Sequence, residues 1–185
     1  MKLVAFCGYM GSGKSFCADY LVKNFGYTKV KFATPLKDML RALGLTEREL
    51  EGDLKDKPCA FLNGATPRWA MQTLGTEWGR TLIHENLWGD LWQSEVERLL
   101  KDQTRVVVDD CRFLNEVERI KSLGGTLVLI KRPGMEGGDH SSESIPSAPD
   151  LTLFNNQNER ALEMQLQYVW GLSGVFDKKP EATTK

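Results

Sequence analysis

The chain has 185 residues and a mass of 20.9 kDa, the size of one ordinary domain. Lys and Arg number 24 against 25 Asp and Glu, and this near-neutral balance disfavours a basic nucleic-acid-binding arm. No apolar run approaches the ~18 residues of a membrane span, and the apolar start reaches Gly8 too early for a secretory signal. The four cysteines lack a Cys-x-x-Cys pair, which argues against a zinc site or disulfide framework and favours a reducing, cytoplasmic location.

Hydrophobic periodicity predicts alternating strands and helices. In chain order these are strand 2–7, helix 15–25, strand 27–33, helices opened by Pro35 and Pro67, helix 87–100, strand 105–110, helix 113–123, strands 126–131 and 151–154, and a helix through 162–169. The polar segment 46–66 is interpreted as a loop or irregular insertion. The alternation predicts one α/β domain, a doubly wound and mainly parallel sheet of about five strands flanked by helices, with ligands at the carboxyl ends of the strands.

A glycine-rich segment follows the first predicted strand and opens the first predicted helix. Residues 8–15 read Gly-Tyr-Met-Gly-Ser-Gly-Lys-Ser and match the P-loop pattern G-x-x-x-x-G-K-[ST] without a mismatch. The glycines let backbone N–H groups wrap an anion, and the helix start adds its positive dipole end. Lys14 is expected to reach the β- and γ-phosphates. The motif therefore predicts binding of ATP or GTP. The sequence contains no Asn-Lys-x-Asp segment of the kind that reads guanine, which disfavours a Ras-like switch.

A magnesium site is predicted beside the P-loop, because Mg²⁺ bound to a nucleotide usually takes a carboxylate from a neighbouring strand. The Ser15 hydroxyl is the first expected ligand. Asp109 and Asp110 end the Val-rich strand, and adjacent strand residues point to opposite faces. One of the two is therefore expected to serve Mg²⁺ and the other to cap the following helix; the sequence leaves open which.

The P-loop alone does not separate a kinase from a switch or a motor ATPase. A motor would bring larger coupling elements than 185 residues allow. A small-molecule kinase needs a second anion site, for which the chain offers several cations at strand ends and helix starts. These candidate cations are Lys37, Arg68, Arg80, Arg112 and Arg132.

Three runs after the P-loop carry a family resemblance. They are Phe-Ala-Thr-Pro-Leu-Lys at 32–37, Pro-Arg at 67–68 with Met-Gln-Thr-Leu-Gly-Thr-Glu-Trp-Gly-Arg at 71–80, and Asp-Cys-Arg-Phe-Leu-Asn-Glu at 110–116. From Lys2 to about Glu143 the chain resembles the deoxynucleoside monophosphate kinases of tailed bacteriophages and prophages, within the P-loop nucleoside monophosphate kinase superfamily. The resemblance implies ATP with Mg²⁺ as the phosphate donor system and a deoxynucleoside monophosphate as acceptor.

The resemblance also implies roles for individual residues. The acceptor-binding set that it implies is Lys37, Arg68, Gly75, Thr76, Trp88, Asp110, Arg112 and Glu116. The ATP-binding set follows instead from the P-loop and from the base of the lid: Gly11, Ser12, Gly13, Lys14, Ser15, Phe16 and Arg132. Lys37 and Arg68 would grip the acceptor phosphate, and Trp88 would stack on the base. Lys14, Arg68 and Arg112 are the expected catalytic residues. Two alternatives stay open, since Trp88 can be plain core and Glu116 can hold Arg112 in place.

The predicted organisation is a kinase domain over 1–176 and a flexible tail over 177–185. An acceptor-binding region spans about 34–90, and a lid loop about 132–149. The expected partners are ATP and a deoxynucleoside monophosphate, with neither a nucleic-acid polymer nor a membrane, and a homodimer is left open. The alternatives are a P-loop kinase for another small acceptor, such as dephospho-coenzyme A, and a P-loop ATPase module that is not a kinase.

Overall fold

The computed structural model describes residues 1–135, 148–156 and 158–174. The predicted tail 177–185, and residues 136–147 of the predicted lid, lie outside the described residues. Among the described helices, none is long and apolar enough to span a membrane.

The described secondary structure comprises five strands, seven α-helices, one 3₁₀-helix and one π-helix. The strands are β1 (Leu3–Cys7), β2 (Tyr27–Lys29), β3 (Arg105–Val108), β4 (Thr126–Lys131) and β5 (Leu151–Phe154). The α-helices are α1 (Lys14–Phe25), α2 (Thr34–Ala42), α3 (Glu47–Leu50), α4 (Pro67–Gln72), α5 (Leu87–Lys101), α6 (Leu114–Ser122) and α7 (Glu159–Gly174). A 3₁₀-helix covers Ala60–Leu62, and a π-helix covers Thr73–Ile83 directly after α4.

The strands form a single parallel sheet in the order β2-β3-β1-β4-β5. β1 lies at the centre, where Val4 pairs with Val107 of β3 and with Thr126 of β4. This confirms the predicted α/β class with a mainly parallel sheet of about five strands. It also brings the carboxyl ends of all five strands to one edge, where the P-loop follows β1.

The chain divides into two compact units. The sheet unit comprises Met1–Lys29 and the chain from Leu99 onward, and the helical unit comprises Val30–Arg98. The helical unit contains the whole of the predicted acceptor-binding region, 34–90.

The core of the sheet unit lies mainly between one sheet face and two helices. It is made by residues that are at most 4% exposed: Val4, Phe6, Cys17, Ala18, Leu21, Tyr27, Val107, Val128, Ile130, Leu153, Leu162, Leu166 and Trp170. Cys17, Ala18 and Leu21 come from α1, so the P-loop helix packs directly on the central strands. The other face meets α6, since Gly125 lies against both Ile120 of α6 and Leu3 of β1.

The helical unit has a core of its own, built from four α-helices and the loop between them: Leu36, Leu40, Leu45, Leu50, Met71 and Trp88. In the same unit the aromatic rings of Phe32 and Trp92 stack, with their centroids 4.3 Å apart. The indole N–H of Trp92 donates to the carbonyl oxygen of Val30 at 3.2 Å.

Two predicted boundaries are wrong. The predicted strand 27–33 ends at Lys29, because Phe32 packs on Trp92 instead of continuing the sheet. The predicted loop 46–66 contains α3 and the 3₁₀-helix. Helix α3 is too short for a periodic pattern, yet Thr46 and Glu49 form the Thr-x-x-Glu capping box that announces a helix start.

Candidate active site

The P-loop joins β1 to α1 in the sheet unit. Gly8, Gly11 and Gly13 have φ angles of +133°, +77° and +109°, a region that side-chain-bearing residues rarely adopt. A Cβ on Gly8 would also lie 2.5 Å from the carbonyl oxygen of Ile130. Both the backbone angle and the space therefore require glycine at position 8. Glycine-rich turns of this kind can present backbone N–H groups to an anion.

Polar side chains of the P-loop provide the donors that a triphosphate needs. The Lys14 ammonium donates to the carbonyl oxygens of Gly8 and Tyr9 at 2.7 and 2.8 Å, which holds its charge over the loop. Ser12 is 1% exposed, and its Oγ finds no hydrogen-bond partner among the described residues. Ser15 is exposed on the first turn of α1. These groups fit a bound polyphosphate because they supply charge and hydroxyl donors at a helix N-terminus.

Two residues that follow strands β4 and β5 form hydrogen bonds with the backbone of the P-loop. The side-chain amide of Asn155, directly after β5, donates to the carbonyl oxygen of Ser12 at 2.9 Å. The Asn155 backbone N–H also donates to the carbonyl oxygen of Lys131 at 2.8 Å. Arg132, directly after β4, donates through Nη1 to the carbonyl oxygen of Gly11 at 2.9 Å. Sequence analysis proposed Arg132 and missed Asn155, whose one available signal was its place at the carboxyl end of a predicted strand.

The structure separates the two aspartates that follow β3. Strand alternation places Asp109 on the same face as Val107, which belongs to the core formed with α1. Lys29 confirms this placement, because its Nζ lies 3.4 Å from Asp109 Oδ2 and 2.6 Å from Oδ1 of Asp19 on α1. Asp109 is 4% exposed, whereas Asp110 is half-buried.

The residues considered for metal binding suit an Mg²⁺ ion that is bound together with a nucleotide, and they do not suit a metal held by protein ligands alone. No group of three or more His, Cys, Asp or Glu side chains that could hold a metal occurs among the described residues. Mg²⁺ bound with a nucleotide needs only one or two carboxylates, because phosphates and water complete its shell. Ser15 and Asp109 provide a hydroxyl and a carboxylate of that kind.

Glu116 organises the start of α6. Its Oε2 accepts the backbone N–H groups of Arg112 at 2.8 Å and Phe113 at 3.1 Å, and the residue is only 3% exposed. A carboxylate in this position caps the helix and interacts favourably with its dipole. The geometry supports the alternative in which Glu116 holds Arg112 in place, through the backbone of Arg112, while the arginine itself is exposed.

The thiol next to this cap is chemically quiet. Burial raises the pKa of Cys111, and the negative charges of Glu116 and Asp110 act in the same direction. Burial likewise raises the pKa of Cys7, at the end of β1, to about 11. All four cysteines are free and buried. The raised pKa values of Cys7 and Cys111 keep these two thiols protonated at neutral pH, so they are poor nucleophiles.

In the helical unit, four of the predicted acceptor residues lie on helices that contribute to its core. Lys37 follows Leu36 on α2, and Gly75 on the π-helix would place a Cβ 3.4 Å from Leu36. Arg68 lies in the first turn of α4, and the indole N–H of Trp88 donates to the carbonyl oxygen of Gly75 at 2.7 Å. Thr76, the fifth residue of this set, is exposed beside Gly75.

Trp88 is a core residue of the helical unit. It is 3% exposed, and a Cβ on Gly79 would lie 2.5 Å from its ring. The ring of Trp78 lies against it at 6.3 Å in a tilted arrangement. The structure thus places Trp88 as the alternative interpretation has it, and the stacking of Trp88 on a base stays a prediction.

Carboxylates accompany both cations that were predicted for the acceptor phosphate. Lys37 Nζ lies 2.5 Å from Glu51 Oε1, and the Arg68 guanidinium forms a two-point ion pair with Asp56. The hydrogen bond from Arg68 lowers the pKa of Asp56. Burial acts to raise the pKa of Glu51, but the hydrogen bond and charge of Lys37, with the charge of Lys31, bring it below its ordinary value. Both carboxylates are therefore ionised at neutral pH.

A P-loop between the first strand and the first helix of a parallel α/β sheet defines the class of the P-loop nucleotide-binding proteins. Similar folds occur in a provisionally named kinase from Chloroflexus aurantiacus, with a TM-score of 0.52, 11% identity and coverage of 92% of this chain and 96% of that one. Another is the dephospho-CoA kinase from Campylobacter jejuni, with a TM-score of 0.50, 13% identity and coverage of 96% and 99%.

Sequence comparison identifies the family within this class. The model of the deoxynucleotide monophosphate kinase family matches residues 60–165. A protein of Acanthamoeba polyphaga mimivirus, provisionally named a deoxynucleotide monophosphate kinase, is 35% identical over 85% of this chain and 90% of its own length. The deoxynucleotide monophosphate kinase of Enterobacteria phage T4 is 23% identical over 84% of this chain and 93% of that protein. The chain belongs to the deoxynucleotide monophosphate kinase family, which confirms the predicted family and kinase class.

Proposed function

We propose that the chain transfers the γ-phosphate of ATP to the 5′-phosphate of a deoxynucleoside monophosphate, giving ADP and a deoxynucleoside diphosphate. The observation that carries this proposal is a complete P-loop, with Lys14 held over three left-handed glycines, in a member of this family. The name of the phage T4 relative, a deoxynucleotide monophosphate kinase, supports the same acceptor class.

The sheet unit supplies the residues for the donor. We assign the ATP phosphates to the backbone and side chains of Gly11, Ser12, Gly13, Lys14, Ser15 and Phe16, with Arg132 at the end of β4. Ser15 and Asp109 would hold Mg²⁺. When bound, the ion neutralises charge on the phosphate oxygens. Asp109 is chosen over Asp110 because it lies on the face of the sheet that α1 covers.

The acceptor residues are assigned by their chemistry. Lys37 and Arg68 would bind the acceptor phosphate, since Arg offers the two-point geometry that phosphate favours. Gly75 and Thr76 would line the pocket for the nucleoside, and Trp88 would contribute to base binding. Contacts to the sugar and phosphate are assigned to Asp110, Arg112 and Glu116, with Glu116 acting through the backbone of Arg112.

The proposed step is a direct, in-line transfer. The acceptor phosphate oxygen is already largely ionised at neutral pH, because its second pKa lies near 6. A general base is therefore unnecessary, and no covalent enzyme intermediate is required. The work of the protein is to position two polyanions and to spread positive charge over the transition state. Lys14, Arg68 and Arg112 are assigned to that task.

The proposal places the reaction in the cytoplasm, with small nucleotides as its substrates. Four free, buried cysteines suit a reducing compartment. The net charge of −1 suits binding of monomeric nucleotides at local cation clusters better than binding of a polymer.

A panel of acceptors tests the proposed function. The purified chain is incubated with MgATP and each of the four deoxynucleoside monophosphates, the four ribonucleotides and dephospho-coenzyme A, and ADP is measured. We expect ADP formation that depends on at least one deoxynucleoside monophosphate. ADP formation that is independent of any acceptor, or that requires dephospho-coenzyme A, would contradict the proposal.

A further inference from the structure

The helical unit supplies its own anion to each cation assigned to the acceptor phosphate. Glu51 pairs with Lys37 and Asp56 pairs with Arg68. The two carboxylates are five positions apart in the turn-rich segment after α3. This segment is part of the region that sequence analysis interpreted as a loop or irregular insertion. Both residues proposed to bind the acceptor phosphate are thus engaged by carboxylates of the chain itself.

The environment of Lys37 favours an anion with more charge than one carboxylate. The Lys37 side chain is 9% exposed, and a buried ammonium is costly without a negative partner. Lys31 Nζ lies 3.4 Å from the same Glu51 oxygen, so one carboxylate faces two ammonium groups. A phosphate dianion in the position of Glu51 would bring two negative charges to the two ammonium groups, whereas the carboxylate brings one.

The pair at Arg68 has the geometry of a phosphate contact. Nη2 lies 2.9 Å from Asp56 Oδ2, while Nε donates to Oδ1, the same fork that binds two phosphate oxygens. The Arg68 and Asp56 side chains are 40% and 64% exposed, and ion pairs of that exposure stabilise a fold little. A phosphate can therefore replace Asp56 at small cost to the fold.

The backbone of the segment is anchored independently of these ion pairs. The backbone N–H of Arg68 donates to the carbonyl oxygen of Lys55 at 2.9 Å, and that of Leu54 donates to Arg48 at 3.1 Å. Gly52 packs against the backbone of Arg48, where a Cβ would come within 2.8 Å. Releasing the carboxylates then requires side-chain rotation and leaves the turn in place.

We propose that Glu51 and Asp56 are displaceable counter-ions of the acceptor site. They hold Lys37 and Arg68 in position before binding, and they compete with the acceptor phosphate for the same donors. The inference rests on the proposed function for the identity of that acceptor. Binding at this site should therefore require a charged ligand. A phosphate monoester dianion can displace the two carboxylates, whereas an uncharged nucleoside cannot.

Calorimetry on Glu51→Gln and Asp56→Asn tests the inference. The full chain is saturated with MgAMPPNP, so that the P-loop is blocked, and titrated with inorganic phosphate and with each deoxynucleoside monophosphate. We expect Asp56→Asn to tighten phosphate binding about fivefold, the scale of one exposed ion pair. Glu51→Gln should tighten it at least as much, because its partner Lys37 is buried. The matched control is Asp53→Asn, which removes the exposed pair of Asp53 with Arg48 at 2.8 Å in the same segment and should leave binding unchanged.

The outcomes separate the inference from the proposed function. Unchanged or weaker phosphate binding in both variants would overturn the inference, because the carboxylates would then only orient the cations. If phosphate binding tightens while the wild type neither binds nor phosphorylates any deoxynucleoside monophosphate, the counter-ions stand and the proposed function fails. Thermal unfolding is followed in parallel. Should Glu51→Gln unfold for lack of a partner for Lys37, the exposed pair of Asp56 decides the question alone.

Discussion

The side-chain amide of Asn155 donates a 2.9 Å hydrogen bond to the carbonyl oxygen of Ser12, a residue 143 positions earlier in the chain. The Asn155 amide also packs against the next residue, since a Cβ on Gly13 would lie 2.9 Å from the same amide nitrogen. Together with Arg132 on Gly11, Asn155 fixes the backbone of the P-loop from the strands beyond it. A preorganised loop binds phosphate without first losing conformational freedom.

Removing this brace should weaken ATP binding. In Asn155→Ala the carbonyl oxygen of Ser12 loses its partner, and one such hydrogen bond contributes about 1 kcal/mol. We expect the KM for ATP to rise about fivefold with a smaller change in the KM for the acceptor, measured by steady-state kinetics. Asn156→Ala, at the exposed next position, is the control. An effect confined to kcat, or one equal in both variants, would contradict the positioning role.

Lys14 is expected to be essential for turnover. Lys14→Ala removes a preorganised positive charge from the transferring phosphate, and the loss of one such donor costs at least ~10²-fold in kcat. Arg112→Ala is expected to lower kcat on the same scale. Lys23→Ala, in the last turn of the same helix as Lys14, is the matched control and should keep normal turnover. Near-normal kcat in either variant would remove that residue from the catalytic set.

The two aspartates after β3 should differ in their effect on the magnesium requirement. Asp109→Asn removes a buried carboxylate on the α1 face, so we expect the Mg²⁺ concentration for half-maximal activity to rise at least ~10-fold. Asp110→Asn should instead raise the KM for the acceptor. Magnesium titrations at fixed ATP compare the two variants, and the reverse pattern would assign the metal to Asp110.

Because Gly79 lies against the ring of Trp88, substitution of Gly79 is expected to lower the stability of the protein. A methyl group on Gly79 would lie 2.5 Å from the buried indole, so Gly79→Ala should destabilise the protein by about 1–3 kcal/mol, the cost of overpacking a core. Gly75→Ala, on the same π-helix, meets only a flexible end of Leu36 at 3.4 Å and should unfold at nearly the wild-type denaturant concentration. Equal urea midpoints for the two variants would show that the ring can move aside.

The buried thiols predict a loss of stability at alkaline pH. Burial raises the pKa of Cys17 to about 12, and that of Cys7 to about 11, from an ordinary value of 9.0. The unfolded chain therefore ionises first, and the stability contributed by each protonated thiol is lost as pH rises from about 9 through these values. In Cys17→Ala the fall of the unfolding free energy between pH 9 and 11 should be shallower by up to about 1.4 kcal/mol per pH unit. Identical slopes for variant and wild type in urea titrations would contradict the burial effect.

The parts of the site that sequence predicts are those whose residues are contiguous. The P-loop carries its glycines, lysine and serine within eight positions, so the pattern alone defines its backbone and its ligand. The sheet is predicted for a related reason, because each buried parallel strand is a short, continuous apolar run. The exception is the end of β2, where the ring of Trp92, 60 positions after Phe32, decides where the strand stops.

The parts that sequence leaves undecided depend on partners far along the chain. Asn155 looks like any polar residue after a strand until the sheet brings it to Ser12. Asp109 and Asp110 differ only through alternation relative to Val107 and the contact of Lys29. The acidic residues of segment 46–66 read as solvated loop charges, and only the folded helical unit shows Glu51 against Lys37.

The strand order has a consequence for synthesis of the chain. β1 lies between β3 and β4, so the first strand to be made pairs only with strands about 100 residues later. At ribosomal rates of about 5–20 residues per second, this apolar strand waits for roughly 5–20 s without either neighbour. The nucleotide-binding loop that follows it is therefore translated well before it acquires its native surroundings. During that interval the nascent chain presents a short aggregation-prone segment that chaperones are suited to cover.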